Sequence, residues 1–108
     1  MIVVLFEVEP HSQGAEDYLQ LAAALRPELE KIDGFISIER FQSLTAPTKL
    51  LSMSCWRDED AVREWRNFDA HRRAQRAGRA GLFADYRLRV CAVLRDYGMH
   101  DREQAPRG

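Results

Sequence analysis

The sequence predicts an α+β domain in the order β-α-β-β-α-β: one antiparallel sheet with both helices on one face, the ferredoxin-like arrangement. Three observations predict it. A β-rich run opens the chain at Ile2–Val8 and another closes it at Tyr86–Leu94. Apolar residues recur at helical spacing from Gly14 to about Ile32. Two more strand-like runs, Phe35–Phe41 and Lys49–Trp56, are joined by a turn at Pro47 and read as a hairpin.

The first strand ends near Pro10. The helix that follows presents Tyr18, Leu21, Ala22, Leu25, Leu29 and Ile32 on one face. Pro27 lies inside it and predicts a kink near Leu25. Gly34 is expected to close the helix in a left-handed conformation. The second strand alternates Phe35, Ser37, Glu39 and Phe41 with Ile36, Ile38 and Arg40. Asp58, Glu59 and Asp60 mark a helix start at the positive end of its dipole. That helix carries Ala61, Val62, Trp65 and Phe68, and Asn67 or Asp69 is placed to cap a second segment from Ala70 to about Ala80.

With 108 residues the chain is one domain, able to bury about 65% of its unfolded surface. Residues 1–98 read as the domain and 99–108 as a tail that is mobile unless a partner orders it. No apolar run approaches the roughly 18 residues of a membrane span. Met1–Phe6 lacks a basic flank and runs straight into Glu7 and Glu9, so it reads as a strand and not a leader.

The net charge of −1 conceals an asymmetry: residues 1–39 hold eight acids and two bases. A near-neutral chain is no dedicated nucleic-acid binder. The basic excess is local. Arg72, Arg73, Arg76 and Arg79 fall in an acid-free stretch, which reads as a solvated helix face or as a rim that steers anions. Cys55 and Cys91 have no metal-ligand spacing and read as buried thiols in a reducing cytoplasm.

In the usual strand order, 4-1-3-2, those cysteines lie two strand spacings apart, roughly 9–10 Å, beyond disulfide reach. The open sheet face would expose sets such as Ile2/Val4/Phe6 or Val3/Leu5, together with Leu88 and Val90. Packing on a second copy would cover them, so a homodimer is expected, and a charge at Val4 or Val90 should disrupt it.

The stretches LRPELEKIDGFISIERFQSL, SCWRDEDAVREWRN and HRRAQRAGRAGLFADYRLRV, with the opening strand, resemble the antibiotic biosynthesis monooxygenase family of dimeric α+β barrel proteins. The resemblance implies that Trp65 lines a pocket. In the haem-degrading branch an axial His follows that Trp by ten residues, where this chain has Gln75, and an Asn stands near the end of strand 1, where it has Phe6 and Glu7. Haem degradation is therefore the lesser reading. In the aromatic-oxidising branch an Asn precedes the Trp by a turn and a Tyr follows it by six residues; here these are Ala61 and His71.

His71, Gln75 and Gly78 share a helical face by spacing. Histidine titrates near neutrality and suits proton abstraction from a phenol or activated C–H. His71 and Trp65 are the expected catalytic pair, with Phe68, Gln75, Arg72, Tyr18 and Tyr86 as substrate contacts. The function this implies is oxidation of a small electron-rich aromatic or quinol by dioxygen without cofactor or metal. The alternative is a non-catalytic ligand-binding or stress-related dimer.

Overall fold

The computed structural model describes residues 1–11, 14–68, 73, 76 and 81–107. The elements are β1 (Ile2–Pro10), α1 (Ala15–Leu29), β2 (Phe35–Gln42), β3 (Leu50–Trp56), α2 (Glu59–Arg66) and β4 (Phe83–Ala92). They form one four-stranded antiparallel sheet in the order β2-β3-β1-β4, the expected order read from the other edge. The predicted segment from Ala70 to about Ala80, with Asp69, one of its two candidate caps, lies outside the described residues apart from Arg73 and Arg76, both of which are exposed. The other candidate, Asn67, is the C-cap of α2.

Antiparallel partners point to the same side, so the register divides the sheet into two faces. Val4 stands between Ser54 and Val90, and Phe6 between Ser52 and Leu88. This even-numbered set faces the helices. The open face carries Val3, Leu5, Leu51, Met53 and Cys55, with Arg87, Arg89 and Cys91 from β4. That corrects the expectation that Val4, Leu88 and Val90 belong to the open face. Glu7 and Arg89 form an ion pair there at 2.8 Å. Cys55 and Cys91 are free and both pair with Val3 in register, which sets them two strands apart.

Several boundaries differ from the sequence reading. α1 runs through Pro27 and ends at Leu29, short of Ile32, because Lys31 and Ile32 close tight turns onto Glu28 and Leu29. Gly34 does take a positive φ of 93°, but in the turn into β2 and not at the helix end. A Cβ there would lie 2.7 Å from that of Ala61, so the glycine also permits close approach of α2. In β2 a bulge between Phe35 and Ser37 breaks the simple alternation. Phe35 thereby joins Ile38 and Arg40 on the helix side, against Trp56, while Ile36 is left exposed. β4 begins at Phe83, earlier than Tyr86, because β1 continues to Pro10 and pairs with it through a bulge. It stops at Ala92, where β1 runs out.

α2 begins as expected. The Asp58 carboxylate accepts from the Ala61 amide at 2.9 Å, and Glu59 and Asp60 fill the first turn. Phe68 lies past its last turn, after the cap at Asn67. The core is Leu29, Ile32, Trp56, Ala61 and Trp65, with Ile2, Val4, Leu25, Phe35, Ile38, Val62 and Phe68 packed around it. α1 packs over β1 and α2 over β3. Among the described residues β4 therefore has little helical cover, and Tyr86, Leu88 and Val90 stay about half exposed on its inner face.

Candidate functional site

The space between helices and sheet is not filled. A cavity of about 250 Å³ lies there, with Val4, Phe6, Ser52, Ser54 and Trp56 as its floor and Leu21, Ala22, Leu25 and Leu29 of α1 as its roof. Val62, Trp65 and Arg66 of α2 and Ile38 and Arg40 of β2 close one side, and Phe83, Tyr86, Leu88 and Val90 of β4 close the other. The half-exposed β4 residues form its mouth.

Aromatic rings gather at both ends. Near the mouth, Phe6, Tyr18, Phe83 and Tyr86 contact one another edge-on or tilted, with ring centres 5.7–6.5 Å apart. At the other end Trp65 stacks on Phe68 at 6.0 Å, and Phe35 meets Trp56 edge-on at 5.4 Å. The Trp56 indole donates to Ser54 Oγ at 2.9 Å, which satisfies a donor in a residue only 1% exposed.

Of the residues singled out from sequence, Trp65, Tyr18 and Tyr86 line this one cavity. Phe68 does not line it but backs the Trp65 ring. His71, Arg72 and Gln75 lie outside the described residues. Sequence reasoning missed Arg40, Ser52 and Ser54. The available signal was in β3, where Ser52 and Ser54 alternate with Leu51, Met53 and Cys55; Arg40, which follows the apolar Ile38 on its face of β2, carried no such signal.

Arg40 is the unusual group. Its Nε is buried and, among the described residues, has no hydrogen-bond partner. Among the described residues the cavity wall contains two arginines, Arg40 and Arg66, and no carboxylate.

A second polar cluster secures the architecture away from the cavity. Arg57 donates from both Nη atoms to Asp33, each bond 3.1 Å, and from Nε to Asp58 at 3.1 Å. Hydrogen bonding and charge from Arg57 hold the Asp33 carboxyl below its ordinary range. For Asp58 the Ala61 amide acts first and Arg57 second, in the same direction. The Arg57 guanidinium is raised in turn by both acids. Among the described residues no three His, Cys, Asp or Glu side chains converge as a metal site would require. Among the described residues no helix is long and apolar enough to cross a membrane.

Comparison with known proteins places this geometry. The sequence model of the family described as antibiotic biosynthesis monooxygenase matches residues 1–77. A protein of Pyricularia oryzae named jasmonate monooxygenase ABM is 47% identical over 93 residues, 86% of this chain. Those residues are 43% of that protein, so the chain spans less than half the length of this relative. Among solved structures, the Rv0793 protein of Mycobacterium tuberculosis superposes with a TM-score of 0.80 at 18% identity, over 90% of this chain and 98% of that one. A variant of SnoaB, a cofactor-independent oxygenase of Streptomyces nogalater, gives a TM-score of 0.76 at 16% identity, over 88% and 94%. These two likenesses establish the fold. The matched family model and the 47% identical relative go further: the chain belongs to the antibiotic biosynthesis monooxygenase family.

Proposed function

We propose that the chain is a cofactor-independent monooxygenase acting with dioxygen on a small electron-rich aromatic or quinol-type molecule in the cavity beside Trp65. The observation that carries this reading is the aromatic-walled cavity of about 250 Å³. A cavity of roughly 150 Å³ takes up benzene, so this one has room for a monocyclic or bicyclic ring. The name of the Pyricularia relative supports oxygenation and adds jasmonate to the substrates worth testing.

The substrate supplies the electrons. Loss of a proton from a phenol or activated ring carbon gives an anion, and one electron passes from it to dioxygen. The two radicals join through a new C–O bond to form a peroxide. The peroxide takes back the proton held by the base. Loss of water then breaks the O–O bond and leaves a carbonyl: the substrate loses two hydrogens in all and keeps one oxygen, and the other oxygen leaves as water. Both hydrogens come from a ring CH2, or one from the ring carbon and one from the phenol. His71 is the proposed base, with Gln75 and Arg72 holding substrate oxygen. Trp65, backed by Phe68, excludes water, and Tyr18 and Tyr86 border the ring.

The proposed working form is a cytoplasmic homodimer joined through the open sheet face, where Leu5, Leu51 and Met53 would be covered. One observation favours a second reading, a ligand-binding module without catalysis: the chain corresponds to only 43% of the monooxygenase relative. Oxygen uptake by metal-stripped protein separates the two, measured with dihydroxyarenes, reduced naphthoquinones and jasmonate. Uptake above autoxidation that His71→Ala abolishes supports the oxygenase. Uptake that His71→Ala leaves unchanged removes the base, and no uptake with a ligand that binds favours the module.

A further inference from the structure

We infer that Arg40 anchors an anionic group of the ligand, so that the cavity selects a small ring compound bearing a carboxylate. The inference rests on the cavity being the substrate site and names the chemical class that it takes.

Arg40 reaches the cavity from β2, directly opposite Ser52 in the β2–β3 register. Its Nε is buried without a partner among the described residues, an expensive state for a charged donor. Among the described residues nothing in the wall neutralises it: the other charged lining group there is Arg66, also a cation and itself exposed. A carboxylate is the group that best satisfies such a side chain, since Nε and one Nη form a fork that matches its two oxygens.

The neighbouring hydroxyls fit the same role. Ser54 Oγ already accepts from Trp56, which leaves its own proton free to donate. Ser52 lies buried between Arg40 and Phe6 in the register. The floor thus offers donors on the β2–β3 side of a chamber whose other described walls are mainly apolar and aromatic. An acid group would sit at Arg40, and the ring would extend along Val4 and Leu25 toward the aromatic residues at the mouth.

The test is equilibrium binding by calorimetry, without turnover, of 1-naphthoate and its neutral isostere 1-naphthamide. The expected result is naphthoate binding at least tenfold tighter than the amide. Arg40→Met should weaken naphthoate at least tenfold and leave the amide within about twofold. Arg40→Lys, which keeps the charge and loses the fork, should fall between. Arg40→Met should also melt no lower than the wild type, because it removes an unpaired buried donor; a clear drop would mean that the side chain is structural. Equal affinity for acid and amide, binding of neither, or equal loss of both in Arg40→Met overturns the inference. The readout is independent of oxygen chemistry, so the oxygenase reading can fail in the uptake assay while this one stands, and the reverse.

Discussion

Trp56 and Ser54 point the same way from β3, and the indole of one donates to the hydroxyl of the other at 2.9 Å beneath the cavity. The bond fixes the orientation of the floor. It is also buried, with Trp56 1% and Ser54 7% exposed. Ser54→Ala leaves the indole donor without its acceptor and should cost about 1–3 kcal/mol of unfolding free energy in a urea titration. A loss below about 0.5 kcal/mol would mean that the indole finds another acceptor.

Trp65 belongs to the core as well as to the cavity wall. Trp65→Ala should cost roughly 3–5 kcal/mol, a large share of the stability of a domain this size. Loss of activity in that variant would say little about chemistry. Its melting curve should show the loss directly, and a near-native curve would show that the ring is not a packing element.

Leu88 offers a cleaner route to the cavity because it is 52% exposed at the mouth. Leu88→Trp should leave the melting temperature within a few degrees and slow ligand association at least severalfold in stopped-flow fluorescence. Unchanged association rates would place the route into the cavity elsewhere.

The Arg57 cluster predicts a specific acid response. Asp33 and Asp58 both have folded pKa values below ordinary. Depressed carboxyl groups contribute stability that is complete above their unfolded pKa, near 4, and is lost as pH falls through the lower folded values. Melting temperatures at pH 6 and pH 2.5 should therefore differ more for the wild type than for Arg57→Gln. Both acids are solvent-facing, so the difference should be modest and should shrink in high salt. An equal acid response in the two proteins would contradict the assignment.

The face assignment changes which residues report on assembly. Val4 and Val90 point into the cavity, so a charge there tests ligand binding and folding. Leu5 and Met53 are opposite one another on the open face. Leu5→Asp should convert a dimer to monomer in sedimentation, since a stable interface needs about 1,000 Å² or more of total buried area. A dimer that survives this substitution would rule out the open face as its interface.

The strand order was legible because it depends on long apolar periodicities and on a hairpin with an obvious turn. The two faces were harder. A period of two reads the same whichever side is buried, and the bulge at Phe35 shifts one residue across without any marker in the sequence. Trp65 was found through the family resemblance, and Tyr18 and Tyr86 because large aromatic residues stand out in a helix or strand. Arg40 was hidden for the opposite reason. An arginine in a strand normally marks the solvent side, and only the pairing with Ser52 and Phe6 turns it inward.

The most direct test of the oxygenase account is isotope incorporation from labelled dioxygen. Metal-stripped protein would be supplied with an electron-rich aromatic acid that calorimetry has shown to bind, and the product examined by mass spectrometry. The account predicts one labelled oxygen per product molecule, formed faster than autoxidation and lost in His71→Ala. A tightly bound acid that gains no oxygen above the protein-free rate would contradict it.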